Sequence, residues 1–159
     1  MKKLHHYKTS VSWKGNLGKG TLDYKAYSRN HDISIPGKPV IPASSDTSFK
    51  GDGTRYTPED LLVSSLSGCH MLWYLHLCSI NGITVVDYAD EAEGEMKENA
   101  DGSGEFTSVT LHPRVTVLES SMSEKATLLH IEANRMCFIA RSVNFPVHHQ
   151  PEVICYEET

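Results

Sequence analysis

Clustered positive charge is missing from this 159-residue chain: its 15 Lys and Arg are scattered among 20 Asp and Glu, for a formal net charge of −5. A protein that holds a phosphate backbone gathers basic residues on one face, so nucleic acid is excluded as a partner. No apolar run follows the basic start Met1-Lys2-Lys3-Leu4-His5-His6-Tyr7-Lys8. A secretory leader is therefore not expected, and a cytoplasmic location is. Cysteine is sparse, limited to Cys69, Cys78, Cys137 and Cys155 with no Cys-x-x-Cys. In a reducing compartment such thiols are catalytic, metal-binding or buried more often than paired in structural disulfides. Gly-x-Ser-x-Gly, a phosphate-binding glycine loop, a dinucleotide fingerprint, internal repeats and low-complexity tracts are all absent as well.

What remains, at 39% hydrophobic residues, is one ordinary domain spanning 1–159. Residues 7–35 alternate in strand fashion (Val11, Trp13; Leu22, Tyr24, Ala26) around a Gly15–Gly20 turn, which reads as a hairpin or meander. Residues 36–56, rich in Pro and Gly, form a long loop or irregular strand. Thr57-Pro58-Glu59-Asp60 is a helix start, with Thr as N-cap, Pro at the first helical position and acids in the first turn; Asn81-Gly82 is the stop. Between them, Leu61–Ile80 is 20 residues without a formal charge. Serines, a glycine and two histidines interrupt the stretch and strand-like segments flank it, so it reads as a buried central helix and not as a membrane span.

Residues 83–96 and 106–118 form a long antiparallel hairpin, Ser121-Met122-Ser123-Glu124 opens a second helix as a capping box, and Val153, Ile154 and Tyr156 supply a last strand. The order of elements predicts an α+β fold of antiparallel sheet and one long helix. At 1.5 Å per residue that helix spans about 36 Å, close to the roughly 40 Å diameter of a domain of this size. One chain cannot easily cover it, and a homodimer packing these helices together is expected.

Candidate chemistry centres on the thiols. Cys69 and Cys78 lie nine residues apart, on opposite helix faces about 13 Å apart along the axis, beyond the reach of a disulfide. Small neighbours (Ser64, Ser65, Ser67, Gly68) leave room beside Cys69, while Cys78 reads as core and Cys155 as a strand residue. Arg135 and Arg141 flank Cys137 and, with a helix end nearby, favour its thiolate. His70 and His76 point about 120° apart, and the adjacent His148 and His149 diverge on an extended chain, so no metal site is expected. Asp90, Glu91, Glu93 and Glu95 read as a solvated strand face.

Two segments carry a resemblance. Thr57-Pro58-Glu59-Asp60-Leu61-Leu62 with Ser67-Gly68-Cys69, and Cys137-Phe138-Ile139-Ala140-Arg141-Ser142-Val143, resemble the family of osmotically inducible protein C and organic hydroperoxide resistance protein (OsmC/Ohr). Its pattern is a cysteine ten residues after a glutamate and a second some sixty to seventy later; here 69 − 59 = 10 and 137 − 69 = 68. The resemblance implies an OsmC-like fold, an intertwined homodimer and a cysteine-based peroxidase without metal or organic cofactor. Cys69 would be the peroxidatic thiolate, and Cys137 the resolving thiol whose disulfide an external dithiol reduces. Glu59 would orient an arginine that supports the thiolate, Arg29 in preference to Arg55. Phe138 stands where many relatives carry proline. Leu66, Met71, Trp73 and Phe138 would form an apolar pocket favouring organic hydroperoxides. A second reading is a non-catalytic dimer of the same fold that binds a small apolar or electrophilic molecule. A third is a thioester-cleaving enzyme with Glu59 or His76 as base.

Overall fold

The computed structural model describes residues 3–156, in two compact units that divide at Leu61 and Leu62. The first holds a three-stranded antiparallel sheet of β1 (Ser10–Trp13), β2 (His31–Ser34) and β3 (Ile41–Ala43) in that order. The alternation at Leu22, Tyr24 and Ala26 does not become a strand; these residues lie in turns beyond an isolated Asn16–Tyr27 bridge. Leu22 and Tyr24 stay exposed, so their period-2 pattern has no sheet to face.

Helix α1 (Pro58–Ile80) starts and stops as its sequence dictates. Thr57 Oγ1 accepts from the Asp60 backbone N–H at 3.1 Å, and Asp60 Oδ2 accepts from the Thr57 N–H at 2.9 Å, so two orphan donors are satisfied reciprocally. At the other end Gly82 takes φ +70°, a left-handed conformation that glycine adopts without cost, and Ile83 N–H returns to the Cys78 carbonyl at 2.9 Å.

The second unit contains β4 (Val85–Asp90), β5 (Glu93–Glu98), β6 (Gly104–Leu111), β7 (Pro113–Val117), α2 (Ser123–Met136), β8 (Val147–His149) and β9 (Glu152–Cys155). The long hairpin is present but breaks at Glu91-Ala92 and His112, so β4 pairs with β7 and β5 with β6, each pair in its own sheet. Both sheets are mixed, not antiparallel throughout: β9 joins β7 and β8 joins β6 as parallel edge strands. Asp90 sits at the break. Its carboxylate accepts from the His112 N–H at 2.7 Å and from the Ser67 hydroxyl of α1 at 2.5 Å, so it is a tie between helix and sheet and not part of a solvated face.

The core has two parts. Leu66 of α1 packs with Val109 and Leu111 of β6. Tyr74, Leu77 and Cys78 pack with Val115 and Val117 of β7 and with Ala126 and Ala133 of α2. Gly94 lets Val63 of α1 and Phe106 of β6 pack against this first part, since a side-chain carbon there would lie 2.8 Å from both. By length and apolar composition α1 passes the test for a membrane span, yet its inward stripe includes a buried histidine and tyrosine. Leu72 and Ile80 on its other side remain about two-thirds exposed, so the helix is covered on one face and open on the other.

Candidate functional site

Cys69 and Cys137, 68 residues apart in the sequence, stand side by side as free thiols, close enough for Cys69 to raise the proton affinity of Cys137. Cys69 is half-buried on α1, and Gly68 beside it faces open space, so the small neighbours leave the sulfur room. Cys137 is the C-cap of α2, its N–H donating to the Ala133 carbonyl at 3.0 Å. The helix ends there because Cys137 turns to an extended conformation (ψ 115°), and a short 3₁₀ turn at Ala140–Ser142 follows. That turn brings the Ala140 N–H to 3.3 Å from Cys137 Sγ.

Ser121 does not cap α2 as expected. It lies in a 3₁₀ turn at Ser120–Met122, and no side chain caps the helix.

Burial dominates the electrostatics of Cys137. Its thiol is held above the ordinary range first by desolvation and then by the neighbouring Cys69, while the Ala140 N–H pulls the other way. The flanking arginines do not reverse this. Arg135 is exposed and bonded to Glu132 at 2.8 Å through Nε, and Arg141 is exposed. Cys137 therefore carries its proton at neutral pH. Cys78 is buried core with a raised thiol, and Cys155 lies in β9, as their surroundings in the sequence suggest.

Beside the thiols, Trp73 meets Phe138 edge-on with centroids 5.5 Å apart, and Trp73 packs on His76 at 5.8 Å. Leu72, Trp73 and His76 line a shallow groove of about 180 Å³. Leu66, expected as a pocket wall, is instead fully buried against β6.

The remaining expected residues lie in the first unit. Glu59 is half-buried in the first turn of α1. Arg29 is sandwiched, its guanidinium 4.1 Å from the Tyr24 ring and 4.2 Å from the Tyr27 ring while donating to the Tyr27 carbonyl at 2.7 Å and the Tyr24 carbonyl at 2.9 Å. Arg55 faces two carboxylates, Asp52 at 3.5 Å and Asp32 at 3.8 Å. Arg29 has no carboxylate partner among the described residues, so its charge is not cancelled locally.

A buried histidine pair has no motif in the sequence to mark it. His70 of α1 and His130 of α2, both essentially inaccessible, are joined Nε2 to Nδ1 at 3.0 Å, with ring planes 10° apart. Tyr74 stacks on His130 at 3.8 Å, and His149 of β8 lies 5.6 Å from His70. His148 and His149 do diverge, the first exposed and the second turned inward. The missing signal was helix phase on α2, where Ala126, His130, Ala133 and Cys137 recur at i, i+4, i+7 and i+11 as one buried line. Burial holds His70 and His130 far below the usual imidazole range, with the neighbouring imidazoles acting the same way and Asp90 opposing it at His70. Among the described residues no group of three or more His, Cys, Asp or Glu is placed to hold a metal ion.

Comparison with known proteins agrees with this architecture. The OsmC-like protein family profile matches residues 51–152, so the chain belongs to the OsmC-like family. Its fold is similar to that of an OsmC-like protein of unknown function from Vibrio cholerae, at 28% identity and TM-score 0.84 over 94% of this chain and 100% of that one. It is also similar to an organic hydroperoxide resistance protein OsmC from Legionella pneumophila (18%, TM-score 0.67, 95% and 99% covered). A third similar structure is an organic hydroperoxide resistance protein from Elizabethkingia anophelis (13%, TM-score 0.69, 98% and 100% covered). A comparison with curated proteins finds no match. Family membership and the neighbouring free thiols of Cys69 and Cys137 together support redox-active cysteine chemistry.

Proposed function

We propose that this chain is a thiol peroxidase that reduces organic hydroperoxides. The observation that carries the reading is the pairing of two free thiols, Cys69 on α1 and Cys137 at the end of α2, brought side by side by the fold. In the first step the Cys69 thiolate attacks the outer oxygen of ROOH; the O–O bond breaks, Cys69 becomes a sulfenic acid, and the alkoxide takes a proton to leave as ROH. In the second, the Cys137 sulfur attacks the sulfenic sulfur, a disulfide forms, and the displaced hydroxide leaves as water with the Cys137 proton. An external dithiol then restores both thiols and is itself oxidised to a disulfide. No metal or organic cofactor enters this cycle.

The order of roles follows from environment. Cys69 is half-exposed beside small residues, where a peroxide can reach it, whereas Cys137 is buried and protonated and serves as the second nucleophile. We assign Arg29 to stabilise the Cys69 thiolate, because it is the candidate whose charge is not already met by carboxylates, and Glu59 to orient it, as the family resemblance implies. Trp73, Phe138 and Met71 favour an alkyl over a bare hydroperoxide. The open face of α1 supports a homodimer, and a reducing compartment such as the cytoplasm supplies the dithiol. Solved structures of this fold that bear the name organic hydroperoxide resistance protein support the same reading.

One equivalent of cumene hydroperoxide added to the reduced protein is expected to consume two thiols. Cys137→Ser should stop at a sulfenic acid that dimedone traps, and Cys69→Ser should lose none. Wild-type protein that keeps all four thiols would overturn the peroxidase. It would leave the alternative of a non-catalytic dimer, for which the groove at Leu72, Trp73 and His76 is the binding surface.

A further inference from the structure

We propose that the buried His70–His130 hydrogen bond positions α1 against α2, so that it sets the encounter of Cys69 with Cys137. The inference rests on the thiol chemistry proposed above and adds two positioning residues to it. His70 directly follows Cys69 on α1. His130 precedes Cys137 by seven residues, two turns of helix, which places both on the same side of α2 about 10.5 Å apart along the axis. The bond of 3.0 Å thus links the two elements one residue from the first thiol and two turns from the second.

Its surroundings make the link specific. His70 is 1% and His130 0% exposed, and the bond between them is the one hydrogen bond either side chain makes among the described residues. Sliding α1 along α2 by even one residue would leave two more imidazole nitrogens unpaired in the core, whereas an aliphatic pair would tolerate the slip. Rings from α1 and β8 hold the orientation: Tyr74 of α1 stacks on His130 at 3.8 Å, and His149 of β8 lies against both histidines. Four residues beyond Cys69 on α1 and one beyond Cys137, the Trp73–Phe138 contact adds a second link across the same junction. A polar contact and an aromatic one thus both join α1 to the segment that carries Cys137.

The bond uses Nδ1 of His130, and this separates positioning from mere space-filling. His130→Asn places its amide where Nδ1 lies, while His130→Gln carries the same amide to the Nε2 position. The readouts are the rate at which dibromobimane bridges Cys69 and Cys137, mapped by peptide mass, and the equilibrium of their disulfide with glutathione. Asn is expected within threefold of wild type in both, and Gln at least tenfold lower. Equal values for Asn and Gln would overturn the proposal. So would an Asn variant that does not fold, since the ring rather than its Nδ1 contact would then hold α2. Wild-type protein that forms no disulfide with a hydroperoxide sinks the peroxidase reading instead, and the bimane bridge still reports where the two thiols stand.

Discussion

The indole of Trp73 meets the ring of Phe138 edge-on, centroids 5.5 Å apart and planes at 90°, one residue beyond Cys137 and one helical turn beyond Cys69. Edge-to-face geometry is favoured by the ring quadrupoles and holds Phe138 in place although 64% of it is exposed. An apolar tail laid on this pair gains contact that hydrogen peroxide cannot. Trp73→Ala is therefore expected to lower kcat/KM for cumene hydroperoxide about tenfold relative to that for hydrogen peroxide. Steady-state kinetics with both oxidants checks this; an unchanged ratio removes Trp73 from substrate choice.

Acid should destabilise the protein through its buried histidines. Burial lowers His70 to about 4 and His130 to about 3, against 6.5 for an ordinary imidazole. His149 of β8 acts in the same direction, and Asp90 of β4 opposes it at His70. Both rings are neutral when folded and bind protons more readily when unfolded. Their contribution is complete above about pH 6.5 and is lost as pH falls through 6.5 toward 4 and 3, at about 1.4 kcal/mol per pH unit per histidine. Urea denaturation at pH 7, 6 and 5 should show this slope, and His130→Asn should remove about half of it. A slope the variant does not change would place the acid sensitivity elsewhere.

The two arginines are separable by rate. Arg29, held between Tyr24 and Tyr27, is expected to support the Cys69 thiolate. Arg29→Gln should slow oxidation of Cys69 by cumene hydroperoxide about a hundredfold, the scale of losing one electrostatic donor at a reacting centre. Arg55→Gln should act mainly on stability by leaving Asp32 and Asp52 without their cation. Stopped-flow tryptophan fluorescence distinguishes them, and the reverse ranking would assign the role to Arg55.

Exposed apolar side chains on both helices point to association. Leu72 and Ile80 on α1 and Leu128 and Ile131 on α2 are each more than half exposed, apolar surface that a second subunit would cover. Sedimentation at micromolar concentration should give a particle of twice 17.7 kDa. Leu128→Glu with Ile131→Glu should shift it toward the single chain, and a wild-type monomer would end the dimer assignment.

Local chemistry made α1 readable from the sequence. Its start rests on the reciprocal Thr57–Asp60 bonds and its stop on the left-handed Gly82, both set by residues within a few positions of each other. The spacing of Cys69 from Cys78 followed from helix phase for the same reason. Elements that depend on a distant partner were only partly readable: the last strand, β9, was expected at Val153 and Ile154, but β8 was not. Strand β8 is three residues between Pro146 and Pro151 and exists because β6 accepts it in parallel register. The alternation at Leu22–Ala26 failed in the opposite way, as no strand comes to pair with it.

The sequence by itself determined the α+β class and the long helix, and a family resemblance carried by two motifs implied which cysteines to pair. Only tertiary structure decided the state of Cys137 and the meeting of His70, His130 and His149. The reason is physical: a thiol's proton affinity depends on desolvation, and desolvation comes from every element packed around it. Arg135 and Arg141 are neighbours of Cys137 in sequence, yet burial outweighs their charge because both face water.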